Sequence, residues 1–516
     1  MCKNRIKLLL LLGLLLGLVL LVAFLPEGQE PKLQSTEAPT TNAKLSLATT
    51  GNKVLGVHVV ERESLLELEE IEGARATALW FNGEKTAADI ESNTAYISLG
   101  TSNWDVNVDE GIILYEDSSA ALCFVDSPAL RNIESSIRNG EALQLAVVKD
   151  GKYSVVNVVF TSLPVISVDG VYQKFGESLG KEIMSGSIRL WHEQESFYSP
   201  ALWHFRGFGS MQMDKKALKI TLMENRVENI HCDLLGLGAD DDWILNPMNK
   251  DDLDIRERMA MELWNGYFAE ESWNYPMSHG QYVELVLNGE YYGLYLIQRR
   301  MDQKYLQIDI EKDILFKGRI GYATSAFLYD LRVSPYNDNQ SFTYLDNVLT
   351  DLGWHNLDRN NFIDVCLFLN YFATHDNLME TNMYFILEDA AESPKLNMVP
   401  WDTDMSLGLF VGMGLNYAEA SEQLFIRQEY EQLVEKYPEL PELMATRWDE
   451  LRESVFSEES IKAVITANAE QIAAWDAARA RDRLKWGYYS YHEDSYEQLL
   501  DFCLNRLQFL DAYYNA

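Results

Sequence analysis

The sequence predicts an α+β protein, and three features point to that class. Short segments of alternating hydrophobicity fill residues 51–165, segments of both periods mix from residue 166, and helical periodicity dominates beyond about Ser421. At 516 residues, with 47% hydrophobic and 12% aromatic content, the chain can build two or three domains, each with its own core.

The amino terminus, residues 1–26, reads as a signal-anchor. Lys3, Arg5 and Lys7 precede an unbroken apolar run from Leu8 to Leu25, about the length that spans a bilayer. The basic flank should stay in the cytoplasm and leave the bulk of the chain outside, as a single-pass, extracytoplasmic protein. A cleaved signal peptide, giving a secreted protein, is the competing reading; no small-x-small pattern lies near Val22–Leu25, which favours the uncleaved anchor. Cys2 precedes the run, where a bacterial lipoprotein cysteine would not stand.

Residues 27–50 are rich in Pro, Glu, Thr and Ser without apolar period and read as a flexible linker. Residues 51–165 form a β-rich accessory domain, read from "KVLGVHVVE", "ATALWFNG", "AYISLG", "GIILYED", "AALCFVD" and "LQLAVVKDGKYSVVNVVFT", the last with a "KDGK" hairpin turn. It offers no catalytic constellation, and its expected role is a spacer or binding module.

Residues 166–516 carry the remaining elements. "ALKITLME" reads as a strand, "DIRERMAMELWNGYFA" as a helix with an acidic start, and "QYVELVLNGEYYGLYLIQRR" as a hairpin turning at Asn288–Gly289. "NFIDVCLFLNYFATHD" reads as an amphipathic helix, and "NMYFILED" with "KLNMVPWD" as a second hairpin. "ELMATRWDELRESVF", "ESIKAVITANAEQIAAWDAARARDRLKW" and "YEQLLDFCLNRLQFLDAYY" form a helical tail.

The net charge of −36 argues against nucleic acid or anionic lipid as the main partner, since both require a cationic face. It suits a metal or a basic, Ser-rich protein partner. Cys123, Cys232, Cys366 and Cys503 are widely spaced, with neither C-x-x-C nor Cys/His ligand spacing, so neither structural zinc nor a disulfide framework is expected. Cys366 sits in an apolar helical pattern as a packed thiol.

The chemistry gathers in "THDNLMETNMYFILEDAAESPKLNMVPWDTD". A helix delivers Asp376 into a loop, Asn382 follows six residues later at a strand's start, and the returning strand delivers Asp402, with Asp404 two residues on. Oxygen ligands of this kind suit Mg²⁺ bridging to substrate phosphates, and an Asp that is not a ligand can take a hydroxyl proton. Protein kinases place a catalytic Asp, a metal-binding Asn and a metal-binding Asp in this order. Taken singly, each residue has an ordinary role as a turn cap or a solvated acid.

On the phosphate side, "FRGFGSMQMDKKALKITL" offers Arg206, Gly207, Gly209 and Ser210 in a turn. It continues into Lys216, which period-2 alternation places on the apolar face with Leu218, Ile220 and Leu222. A surface lysine at a frayed strand start is the ordinary alternative. The chain has no Walker-type G-x-x-x-x-G-K-[ST].

These stretches, with "DDDWILNPMNKDDLDIRERMAMELW", "LNGEYYGLYLIQRRMDQKYL" and "MVPWDTDMSLG", resemble the spore-coat protein CotH family from about residue 170 to the end. The P-W-D-x-D-x-x-x-G run is the most specific element. The resemblance implies a divergent protein-kinase-like fold that phosphorylates protein serines with ATP and Mg²⁺ or Mn²⁺. It implies that Asp376 is the catalytic acid, Asn382 and Asp402 metal ligands, and Asp404 a partner of that ion or of a second one. Arg206, Ser210 and Lys216 would face the ATP phosphates. One departure stands out: where the family usually has Glu after the G-x-Y hairpin, this chain has Arg299, beside Gln298. If that Glu orients a lysine, Glu257 and Glu262 are the candidates to replace it. The alternative is a catalytically weak or inactive surface or coat-binding module, favoured by the Arg299 departure and by an anchor that places the domain where ATP is usually scarce. A metal hydrolase using Asp402 and Asp404 is disfavoured, because no His or Cys is placed to complete a zinc site.

Overall fold

A computed structural model describes residues 38–516, apart from 101–111, 174–181, 194, 208–209, 226, 319–328, 352–354, 375–376, 378–380, 411–413, 418–420, 425–432, 488–493 and 516. The apolar run Leu8–Leu25 and Asp376 therefore lie outside the described residues. Among the described residues, no helix is long and apolar enough to cross a membrane.

The first sheet has eight strands, in the order Lys53–Val54, Val57–Val60, Ala121–Val125, Leu143–Lys149, Lys152–Thr161, Thr94–Ser98 and Ala87–Asp89, with Glu69–Glu70 paired beside Lys152–Thr161. The "KDGK" turn closes between Lys149 and Lys152, with Asp150 and Gly151 both at positive φ (51° and 76°). That backbone twist matches the twist of the flanking strands. A short helix, Ile133–Asn139, caps the sheet's core.

Seven strands then close into a barrel: β1 (Val165–Gln173), β2 (Ile183–His192), β3 (Glu195–Arg206), β4 (Ala217–Leu222), β5 (Asp242–Asn246), β6 (Gly280–Leu287) and β7 (Glu290–Arg299). The order around it is β1-β2-β3-β4-β5-β7-β6, antiparallel except where β6 meets β1. Alternate residues such as Leu218, Ile220 and Leu222 fill the interior with Trp203, Trp243 and Tyr295. The β6–β7 hairpin turns at Asn288–Gly289 (φ 51° and 76°), as its sequence predicts.

The accessory region packs on the barrel. Tyr96 stacks on Tyr291 at 4.8 Å, and the two join Ala87, Val159, Val165, Trp191 and Val286 in one apolar cluster. Asp89 accepts the Tyr291 N–H at 2.7 Å, the Ile90 N–H donates to the Gly289 carbonyl at 2.8 Å, and Glu84 pairs with Arg189 at 3.0 Å.

Helix α1 (Arg256–Gly266) lies between β5 and β6 in the chain, and beyond β7 comes a four-stranded antiparallel sheet, in the order β9-β8-β10-β11, made of β8 (Ile314–Gly318), β9 (Tyr329–Val333), β10 (Met383–Glu388) and β11 (Lys395–Pro400). Helices α2 (Asp338–Asp351) and α3 (Arg359–Phe372) lie between β9 and β10 in sequence. The sequence predicts an amphipathic α3; instead, Asn361 to Phe372 are buried on every side. The sheet covers one flank of α3 and the tail helices cover another, so its few polar residues find partners: Asn361 bonds Met398, and Asp364 bonds Trp273, Asn274 and Arg447.

The tail folds as α4 (Leu440–Arg452), α5 (Glu458–Ala474), α6 (Asp476–Trp486) and α7 (Tyr496–Tyr514). The stretch through "AAWDAARA" reads as one helix but breaks at Trp475, whose backbone leaves the helical region (φ −116°, ψ 18°). The break lets α6 lie against the barrel, where its Asp482 reaches Lys215 at 2.8 Å and the Leu294 N–H at 2.9 Å. Gly293 makes room for this contact: at φ 111°, a Cβ there would stand 2.1 Å from Asp482 Oδ1. Arg481 binds Glu284, and Arg479 and Arg483 bind Asp254, so α6 is clamped along its length.

Candidate functional site

The hairpin β10–β11 brings two of the sequence-derived residues to one place. Met383 pairs with Pro400, so Asn382 and Trp401 stand opposite each other at the hairpin's open end, where the Trp401 N–H donates to the Asn382 carbonyl at 2.9 Å. Asn377, fully buried, donates from its amide to the carbonyls of both Asn382 (2.8 Å) and Trp401 (2.7 Å). This pins the position of Asp402. Asn382 and Asp402 both adopt left-handed backbone (φ 50° and 58°), which non-glycine residues seldom occupy and which persists where surroundings over-determine it.

Cations approach Asp402 from two elements. Arg206 ends β3, its guanidinium 5.9 Å from the centroid of the Trp401 ring. Lys317, on β8, holds its ammonium 5.1 Å from the Trp401 centroid and 5.5 Å from that of Tyr384, its cross-strand neighbour. Burial pushes the Lys317 ammonium down to about 7, and Arg206 adds to the effect while Asp402 opposes it. Burial likewise lowers Arg206, against the pull of Asp402. Two positive charges in this environment repel each other, and an anion between them would relieve that repulsion.

Acids also act on this loop. Asp404 is buried, with Lys250 3.7 Å away. Glu257 of α1 accepts the Thr403 N–H (2.5 Å) and hydroxyl (2.8 Å) through Oε2. Burial pushes Glu257 up to about 8, and the nearby charges of Asp402 and Asp404 push in the same direction. Among the described residues, several buried oxygens have no hydrogen-bond partner: Glu257 Oε1, Asn377 Oδ1, Thr374 Oγ1 and Ser406 Oγ. Unmet oxygen acceptors beside carboxylates fit a hard, hydrated cation.

The remaining sequence candidates have contacts of their own. Strand β4 begins at Ala217, so Lys216 precedes it, and its ammonium donates to the carbonyls of Met211 (3.0 Å) and Met213 (2.7 Å). The buried lysine is Lys215, which the alternation places on the opposite face. Asp482 and the carbonyls of Pro247 and Leu294 take its three protons, at 2.8, 2.7 and 2.7 Å. A lysine with every donor used is a fastening rather than a phosphate ligand. Ser210 opens a short 3₁₀ turn, Ser210–Gln212. Neither Glu257 nor Glu262 pairs with a lysine: Glu262 binds Arg258 and Asn468. Arg299 binds Asp240 at 3.1 Å and lies over the Tyr305 ring.

Lys317 and Asn377 escaped the sequence reading. The only hint of Lys317 was a lysine inside the apolar run "ILFKG", and Asn377 follows directly after the candidate acid. One group of acids and imidazole among the described residues has its ligand atoms within 4.8 Å of one another: His231, Asp240 and Asp241. Lys304 binds both of those aspartates, so an ammonium already serves as their cation.

A family model described as CotH kinase protein matches residues 203–510, a span holding Arg206, Glu257, Lys317, Asn382, Asp402 and Asp404. A search among curated proteins gives no match.

Proposed function

We propose that this chain, which belongs to the CotH kinase protein family, transfers the terminal phosphoryl group of ATP to serine hydroxyls of a protein substrate in a divergent kinase-like fold. The observation that carries the reading is the position of Asp402. It is held in left-handed backbone, its charge acts on Arg206 and Lys317 near the Trp401 ring, and Glu257 bonds Thr403, the next residue along. Such a gathering of cations and acids suits a metal–phosphate pair, with the ion bound by acids and phosphate oxygens by cations.

Asn382, Asp402 and Asp404 would hold Mg²⁺ or Mn²⁺. When bound, the ion supplies charge neutralisation for phosphate oxygens. Arg206 and Lys317 orient those oxygens and offset the charge that builds on them. Asp376, six residues before Asn382 in the sequence, is assigned the hydroxyl of the incoming serine, whose proton it accepts as the serine oxygen bonds the terminal phosphorus and that phosphorus parts from the bridging oxygen of ADP, which leaves. Arg299 does not weaken this reading, because Asp240 neutralises it and Lys215 already has its acid in Asp482. The net charge of −36 favours a basic substrate, and the basic flank and Leu8–Leu25 run support a membrane-tethered, extracytoplasmic setting.

The test is incubation of the full-length chain with labelled ATP, Mn²⁺ or Mg²⁺ and a basic, Ser-rich protein. Metal-dependent phosphoserine that disappears in Asp376→Asn supports the assignment; label that persists in that variant overturns it.

A further inference from the structure

We propose that Glu257 is the third carboxylate of the divalent-cation site, its Oε1 accepting from the ion's water shell while Oε2 anchors the loop that carries Asp402 and Asp404. The inference rests on the metal reading above and extends it to a residue on a different element.

Glu257 is 3% exposed, and its two oxygens have unequal surroundings. Both bonds from Thr403 go to Oε2, and Oε1 has no hydrogen-bond partner. Thr403 lies between the two aspartates, so this contact fixes Glu257 to the loop itself. Asp402 and Asp404, both of its own sign, act on Glu257. Its helix supplies no compensating cation. Arg256 is committed to Asp251, Asp494 and the Tyr417 hydroxyl, and Arg258 to Glu262.

Glu257 and Asp404 are buried and Asp402 is half-buried, and Lys250 already stands 3.7 Å from Asp404. What stays unmet among the described residues is Glu257 Oε1, a buried acceptor that loses its hydration on folding. The carboxylate oxygens of Glu257, Asp402 and Asp404 do not all fall within 4.8 Å of one another. An ion among them therefore keeps water toward at least one acid. Magnesium and manganese sites commonly retain water in this way, and partners beyond the directly bound oxygens tune affinity by roughly 10–100-fold.

The test is calorimetric titration of Mn²⁺, without nucleotide, into the full-length chain and its Glu257→Gln and Asp402→Asn variants, with melting temperatures of the metal-free proteins. Gln keeps an oxygen for Thr403 and replaces Oε1 by an N–H donor. Mn²⁺ affinity about tenfold or more weaker in Glu257→Gln, with a metal-free melting temperature no lower than wild type, is the expected result. Affinity within about twofold of wild type, while Asp402→Asn loses binding, overturns the role of Glu257 and leaves the metal site standing. Unchanged affinity in both variants removes the metal reading together with this one. A Glu257→Gln protein that fails to fold without metal assigns the residue to the scaffold and also overturns the proposal.

Discussion

Replacing Lys317 by methionine should weaken nucleotide binding without weakening the fold. In the protein, its ammonium is held by the faces of Trp401 and Tyr384, at 5.1 and 5.5 Å, and no carboxylate lies in ion-pair contact with it among the described residues. Each such ring contact contributes about 0.5–2 kcal/mol, and burial beside Arg206 opposes that gain, so the variant should lie within about 1 kcal/mol of wild type. A charge-assisted bond to a phosphate oxygen contributes about 1.5–3 kcal/mol, which converts to a loss of roughly 10- to 150-fold in ATP affinity. The effect should depend on pH. With Lys317 lowered to about 7, its ammonium is present below that pH and fades above it, so affinity for the phosphates falls as pH rises through 7. Lys317→Arg keeps the charge and should flatten the profile. The stability term runs the other way. Between about 7 and the ordinary value of 10.5 the unfolded chain binds the proton and the folded chain does not, so this contribution to stability grows with pH across that window and vanishes below it. Calorimetric titration of ATP with Mg²⁺ at several pH values reads the first effect, and urea unfolding reads the second. If Lys317→Met binds within about twofold of wild type below neutral pH, Lys317 does not face phosphate.

Asp402→Asn should abolish metal-dependent nucleotide binding while leaving folding intact, because Asn tolerates the left-handed backbone at this position; equal affinity in a binding titration would return Asp402 to an ordinary strand end. Asp482→Asn should cost about 3–5 kcal/mol in urea unfolding, since it leaves the Lys215 ammonium buried without its counter-charge. Lys215→Met combined with Asp482→Leu should recover most of that loss, and a double variant no more stable than the single one would contradict the buried-pair account. Removing residues 1–164 should lower the melting temperature, because it uncovers Trp191, Val286 and Tyr291, each contributing about 1.5–3 kcal/mol when fully buried. ATP affinity should stay within a few-fold if the remainder folds, and a folded truncation that no longer binds ATP would place the accessory sheet in the site.

Local chemistry made much of this protein readable from its residues alone. The turns at Asp150–Gly151 and Asn288–Gly289 demand left-handed backbone, which Asn, Asp and Gly adopt most readily, so both hairpins were fixed by a few adjacent residues. The same holds for the P-W-D-x-D run, which the β10–β11 hairpin sets opposite Asn382. What the sequence could not decide depends on neighbours far along the chain. Alternation chose Lys216 over Lys215, but the strand starts after both, and it is Asp482, 267 residues beyond Lys215, that makes burial of Lys215 tolerable. The barrel's closure rests on β6 meeting β1, and helix α3 is buried on every side because a sheet and the tail helices cover it together. Lys317 comes beside Tyr384 and Trp401 only because β8 pairs with β10. A charge is functional or ornamental according to what surrounds it, and in a chain of this length those surroundings are assembled by tertiary contact.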